Sequence, residues 1–230
     1  MPILRLLHGL GADRRAFQRF ERLLPVSWEP SSLDLLGHGS APHPPHGYSL
    51  EEHAAYIAGC LEPVAPVVLV GHSYGAATAV ALAARHPGCV RGIVLLDPIT
   101  HLGDAEVGGR TEQMMEARRA GHVRETVDRL FPDASEPLRA WTTETWEQMA
   151  LGVIDEFDPH WTRFAELVTC PVAIVHGELA LGGGGDLAAD WFDEPRVTCI
   201  HGAGHYLHAT HARETAAAVR EATEWIIDGA

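Results

Sequence analysis

The stretch VVLVGHSYGA, residues 67–76, governs the reading of the whole chain. Val67–Val70 is a continuous apolar run opened by Pro66 and closed by Gly71, as expected of a strand buried on both faces. An alanine-rich segment with helical spacing, Ala76 to Arg85, follows at once and stops at His86-Pro87-Gly88. Between the two, Gly71, Ser73 and Gly75 spell G-x-S-x-G. A serine on a strained strand-to-helix turn projects its hydroxyl above the sheet. Glycines two residues to either side leave room for the turn and for neighbouring backbone. The five-residue pattern alone is common by chance; the strand before it and the helix after it make it specific.

The same alternation extends both ways. Upstream, Ile3 to Leu7 reads as a strand feeding the glycine loop HGLG, followed by helical spacing from Arg14 to Leu24. A second short strand around Ser32 to Leu35 runs into GHGS and a proline-rich loop. Ser49 opens a helix reaching about Leu61, since Ser49-Leu-Glu-Glu52 has the form of a capping box. Downstream, Gly92 to Asp97, PVAIVHG (171–177) and RVTCIHG (196–202) read as strands, and Arg213 to Ile227 as the final helix. This pattern predicts an α/β fold with a mostly parallel sheet of about six strands, flanked by helices on both faces. Residues 98–168 break it, offering only helix-like stretches such as RTEQMMEARRA and EPLRAWTTETWEQMA. Seventy residues are too many for a plain connection, so a helical cap is expected there, inserted into a core of residues 1–97 and 169–230. In open α/β sheets the strands' carboxyl ends, beneath such a cap, are where ligands bind. The tract Gly182 to Gly185 reads as a loop.

Composition narrows the partners. The chain has 230 residues, enough for one domain with a real core. Its formal net charge is −14, and all 17 basic residues are arginine. With no basic block, nucleic acid and anionic membrane are poor partners, and a small molecule is expected instead. Cys60, Cys89, Cys170 and Cys199 lie far apart without a CxxC pair, and MPILRLLHG lacks the features of a signal peptide. Reduced thiols in a cytoplasmic protein are the simplest expectation. Oligomeric state is not indicated.

Four segments together resemble the α/β-hydrolase superfamily along nearly the whole chain: LLHGLGA its oxyanion loop, DLLGHGSAP its D-x-x-G-x-G-x-S loop, GHSYGA its nucleophile elbow and HGAGHYLH its histidine loop. The resemblance implies a serine nucleophile in a capped, single-domain member, without the two leading strands of many relatives. It assigns Ser73 as nucleophile, and His205 as base from its place after the last strand and before the last helix. Backbone N–H groups of Tyr74 and Leu10 are the expected oxyanion donors. His201, His208 and His211 crowd the same stretch as His205, but no partner segment rich in ligands accompanies them, so no metal and no cofactor are expected. His8 is read as orienting backbone, and Asp34, Gly37, His38 and Gly39 as structural.

The acid departs from the family pattern. In the loop after the penultimate strand, Gly177-Glu178-Leu179-Ala180 carries alanine where relatives usually have aspartate. Asp97, at the end of the strand following the nucleophile helix, is the preferred replacement, since some relatives place the acid there. Asp186 and Glu178 are the alternatives, or no acid at all. Met114, Met115, Trp141, Trp146 and Trp161 serve either packing or the lining of a pocket for an apolar acyl or aromatic substrate.

The leading expectation is therefore hydrolysis of a small carboxylic ester, thioester or lactone through an acyl-enzyme on Ser73. Carbon–carbon bond hydrolysis or lyase chemistry by the same Ser/His pair, and non-catalytic small-molecule binding on the same scaffold, are the alternatives.

Overall fold

Alternating side chains on each central strand must find apolar cover on opposite sides, and this sets the layers. In a computed structural model, which describes residues 1–99, 105–179 and 188–229, Leu69 and Val67 of β3 (Val67–His72) enter one core while Val68 and Val70 enter another. β4 (Val90–Leu96) does the same, with Ile93 and Leu95 on the first side and Val94 and Leu96 on the second. β1 (Leu4–Leu7), β2 (Ser31–Leu33), β5 (Val172–Gly177) and β6 (Arg196–Ile200) complete a six-stranded sheet in the order β2-β1-β3-β4-β5-β6. Every pairing is parallel, with Leu6 beside Val70 and Val70 beside Val94 at the centre. The expected α/β architecture of about six parallel strands holds.

Helices α1 (Leu50–Leu61) and α2 (Tyr74–Arg85) cover one face. The other is covered by Phe17, Phe20 and the last helix, which is α8 in our numbering (Ala212–Ile227), after the single turn α7 (Leu207–Thr210). The capping box of α1 forms as expected: the Ser49 side chain accepts from the Glu52 N–H, and the Glu52 carboxylate accepts from the Ser49 N–H at 2.9 Å. In α2, every residue from Tyr74 to Ala83 is buried. Its run of alanines lets the helix lie close on the sheet without overpacking.

One local expectation fails. The segment Arg14 to Leu24 is not an α-helix but two separate 3-10 turns, Arg14–Phe17 and Glu21–Leu23. Apolar spacings of three and four suit both forms, and Phe17, Phe20 and Leu24 reach the core either way. Pro25 also bars continuation of a helix, because the residue before proline is pushed out of helical geometry.

Between β4 and β5 lie α3 (Ala105–Ala120), α4 (Val123–Leu130), α5 (Glu136–Gln148), α6 (Leu151–Asp155) and a 3-10 segment, Trp161–Leu167. The four α-helices share a core of their own, built on Met114, Val123, Val127, Trp146, Met149 and Val153, against which Leu36 and Tyr48 of the main body pack. Two polar ties fasten this insert. At one end the Arg15 guanidinium bridges Asp13 at 2.7 Å and Glu144 of α5 at 3.1 Å, while Trp141 Nε1–H donates to Asp13 Oδ1. At the other, the Glu156 carboxylate accepts from the backbone N–H groups of Gly47 and Tyr48, both at 2.9 Å.

The Tyr48 and Gly47 N–H groups hold the Glu156 carboxyl below the ordinary glutamate range. A depressed pKa means stabilisation that is complete above the unfolded value and disappears as pH falls through the folded one. Glu156→Gln is expected to lower stability by on the order of 1 kcal/mol at neutral pH, because one charged acceptor pair becomes a single neutral one in a partly solvated site. Urea unfolding followed from pH 7 down through the depressed folded pKa, where the wild-type carboxylate takes up its proton, should show the difference between the two proteins closing.

Candidate active site

Ser73 sits where β3 turns into α2, with φ 53° and ψ −116°. Such a conformation costs on the order of 1–3 kcal/mol for a residue with a Cβ and persists only where packing dictates it. Here the dictation is backbone against backbone. A Cβ on Gly75 would collide with the carbonyls of Leu7 and His8 at the end of β1, and one on Gly71 would meet Gly75 itself. Only glycine fits either place, so the turn can be tight. A serine opening a helix ordinarily gives its hydroxyl to the first turn. Ser73 makes no such cap bond, and it lines an open cleft instead.

The loop opposite is held by histidines. His8 accepts the Leu35 N–H at Nε2 (3.0 Å), so its proton is on Nδ1, which donates to the Gly9 carbonyl at 2.8 Å. His38 accepts the Gly11 N–H at Nε2 (3.2 Å) and donates from Nδ1 to the Leu36 carbonyl at 3.0 Å. Both rings are fully buried, and burial drives both pKa values down, His38 further because His8 lies beside it. They are neutral struts with both nitrogens committed. The Asp34 carboxylate ties the same two loops, accepting the Arg14 N–H at 2.7 Å and the Ser40 N–H at 2.9 Å. Among the described residues, neither the Leu10 nor the Tyr74 N–H donates to a backbone carbonyl.

His205 Nδ1–H donates to Asp97 Oδ2 at 2.6 Å. The second oxygen of Asp97 accepts the Gly177 N–H at 3.3 Å, and the carboxylate is buried. Asp97 itself stands in the left-handed region at φ 45°, just past the end of β4 and before Pro98. The interaction with His205 distinguishes it from an aspartate that merely closes a strand. Glu178, the neighbouring candidate, turns elsewhere: it accepts the Gly202 N–H at 2.8 Å and faces His201, bracing the turn that leads to His205. Asp186 and the four glycines before it lie outside the described residues, as does Ala180.

The other histidines disperse. His208 packs against Phe17 and His72, and His211 bonds Thr210. Among the described residues no group of three or more His, Cys, Asp or Glu side chains is arranged to hold a metal ion. Among the described residues no disulfide is formed, and no described helix is long and apolar enough to cross a membrane.

The cleft is open to solvent on one side. Leu10, Ala77, Ile99, Phe157, Pro159 and Trp161 give it apolar walls; Ser73, Tyr74, Thr111 and Asp158 give it polar ones. Of the five large insert side chains named from the sequence, only Trp161 lines it. Met114 and Trp146 pack beside Gly11, Met115 joins the insert's own core, and Trp141 bonds Asp13. Phe157 and Pro159 were not singled out because they stand in an irregular turn that has no periodicity to read.

A model of the alpha/beta hydrolase family matches residues 6–218. Among curated relatives, a pimeloyl-[acyl-carrier protein] methyl ester esterase of Neisseria meningitidis is 26% identical over 97% of this chain and 77% of its own. A second of the same name is 38% identical over 44% of this chain and 38% of its own. Lipase LipV of Mycobacterium tuberculosis is 32% identical over 67% and 55%. Several of these relatives are thus matched over less than two thirds of their length. Among solved structures, Cfl2 from Burkholderia cenocepacia superposes with a TM-score of 0.81 at 20% identity, covering 96% of this chain and 87% of that one. The enol-lactonase from Burkholderia xenovorans does so with 0.78 at 18% identity, covering 97% and 91%. With the elbow, the parallel sheet and the family match in agreement, the chain belongs to the α/β-hydrolase family.

Proposed function

We propose that this protein hydrolyses a small carboxylic ester through an acyl-enzyme on Ser73, with His205 as general base and Asp97 as its orienting acid. The observation that carries this reading is the 2.6 Å bond from His205 Nδ1–H to the buried Asp97 carboxylate. That bond fixes the tautomer leaving Nε2 bare, the form a base needs to take a proton from a serine hydroxyl. Ser73 Oγ attacks the carbonyl carbon as its proton passes to His205 Nε2. The carbonyl electron pair moves to oxygen, where the Leu10 and Tyr74 N–H groups receive the charge. Collapse expels the alcohol, which takes the proton from His205. Water then repeats the sequence and releases the acid. Thioesters and lactones react by the same steps.

The unspent hydroxyl of Ser73 and the two N–H groups without a backbone partner support this assignment. The esterase and lipase names of the relatives point the same way. The apolar walls suit an uncharged acyl or aromatic group, and we infer that residues 98–168 form the cap that shapes this cleft, through Trp161, Phe157 and Pro159.

Incubation with a fluorophosphonate, followed by intact mass measurement, is expected to add one adduct that Ser73→Ala abolishes; a wild type that stays unmodified from mildly acidic to basic pH would sink the hydrolase reading. For the acid, Asp97→Asn is expected to lower turnover of p-nitrophenyl esters by about 10⁴-fold, as loss of the orienting carboxylate does in a related triad. Asp186→Asn should keep turnover within a factor of about three of wild type, as a substitution outside the catalytic relay. The reverse pattern would move the acid to Asp186.

A further inference from the structure

His72, the residue before the nucleophile, is one of the buried polar side chains of the sheet's central strand. At its position in β3 it pairs with Leu96 of β4, where an apolar side chain would satisfy the packing at lower cost. Its hydrogen bond accounts for the choice. His72 Nε2 lies 2.9 Å from the main-chain oxygen of His205. A carbonyl only accepts, so the His72 proton must be on Nε2 and Nδ1 must be bare. Nδ1 faces Gly9, whose own Cβ, were there one, would lie 3.2 Å away. Burial, with His208 and His205 beside it, drives the His72 pKa well down and keeps the ring neutral.

We infer that His72 is a positioning residue: its imidazole ties the loop bearing His205 to the strand that ends in Ser73. This rests on the hydrolase reading above and deepens it. His205 is then held at two points, by Asp97 on its ring and by His72 on its main chain. The His72 ring also fills the space behind it, with centroids 4.7 Å from His205 and 4.3 Å from His208, and Phe17 closes the far side of His208 at 4.8 Å. Nucleophile and base come from segments more than 130 residues apart (|i−j| = 133 for the His72–His205 bond), and this bond joins them directly. The turn from β6 to His205 has its own ties at Gly202 and Ala203, but these stop short of the base. The His72 bond is the tie that reaches the main chain of His205 itself.

Two amides of different reach separate positioning from packing. Gln places an N–H close to the site of imidazole Nε2; Asn places one nearer Nδ1 and cannot span to the carbonyl. His72→Asn is expected to lower kcat about 10- to 100-fold with KM changed less than about threefold, since misplacement by an ångström costs about that much in rate. His72→Gln should recover most of the loss. The low-field proton resonance of the short His205–Asp97 bond should persist in wild type and His72→Gln and broaden or shift in His72→Asn. Equal activity of both variants with wild type, or losses that follow melting temperature alone in both, would overturn the positioning role while leaving the hydrolase reading intact. A wild type that neither turns over esters nor takes up fluorophosphonate defeats that reading instead. Should either variant not fold, nitrogen-15 spectra of the wild-type imidazoles decide: the Nε2–H tautomer for His72 is expected, and the Nδ1–H tautomer overturns the tie.

Discussion

Everything at the site depends on how closely the main chain of the elbow approaches the end of β1. Gly75 touches the carbonyls of Leu7 and His8, and no side chain intervenes. That contact forces Ser73 into the left-handed region and, in the same stroke, sets the distance between the start of α2 and the loop carrying Leu10. A longer separation would relax the serine and move apart Leu10 and Tyr74, both of which line the cleft. The strain at Ser73 is small beside the apolar burial of β3 and α2 that flank it, so the fold sustains it.

Around this contact the polar groups form a scaffold of neutral histidines. His8 and His38 stitch the loop after β1 to the loop after β2, each with one nitrogen accepting and the other donating. His72, through its Nε2–H alone, bonds β3 to the loop after β6. Imidazole suits the task because, held neutral by burial, it offers a donor and an acceptor on opposite sides of a rigid ring. Three of the fifteen histidines, His8, His38 and His72, thus belong to the frame of the site.

The strands, the helix caps and the elbow were legible in sequence because each is signalled within a short window: Val67 to Ala76 contains its own strand, turn and helix start. The bond between Asp97 and His205 was only half legible. Asp97 stands at a strand end where aspartate also serves as a simple turn former, and what distinguishes it is a contact with a residue 108 positions away. The histidine frame was hidden for the same reason; nothing local marks Leu35 as the partner of His8. The segment Arg14 to Leu24 misled because periodicity of three to four describes a buried stripe, not the hydrogen bonding that supports it. Between β4 and β5 aromatic residues were visible but their direction was not: of Trp141, Trp146 and Trp161 only Trp161 lines the cleft, where Phe157 joins it.

Asp97 follows directly on β4, and two residues later the Ile99 carbonyl accepts the indole N–H of Trp161 at 2.7 Å. The carboxylate bonded to His205 and the Trp161 wall of the cleft are therefore joined by a lever only a few bonds long. Under the proposed mechanism, exchanging the helical segment wholesale would disturb the Asp97–His205 bond along with the cleft wall. A transplant that spared both would splice inside this lever, retaining Ile99 and Trp161 from the recipient and importing only the helices between them.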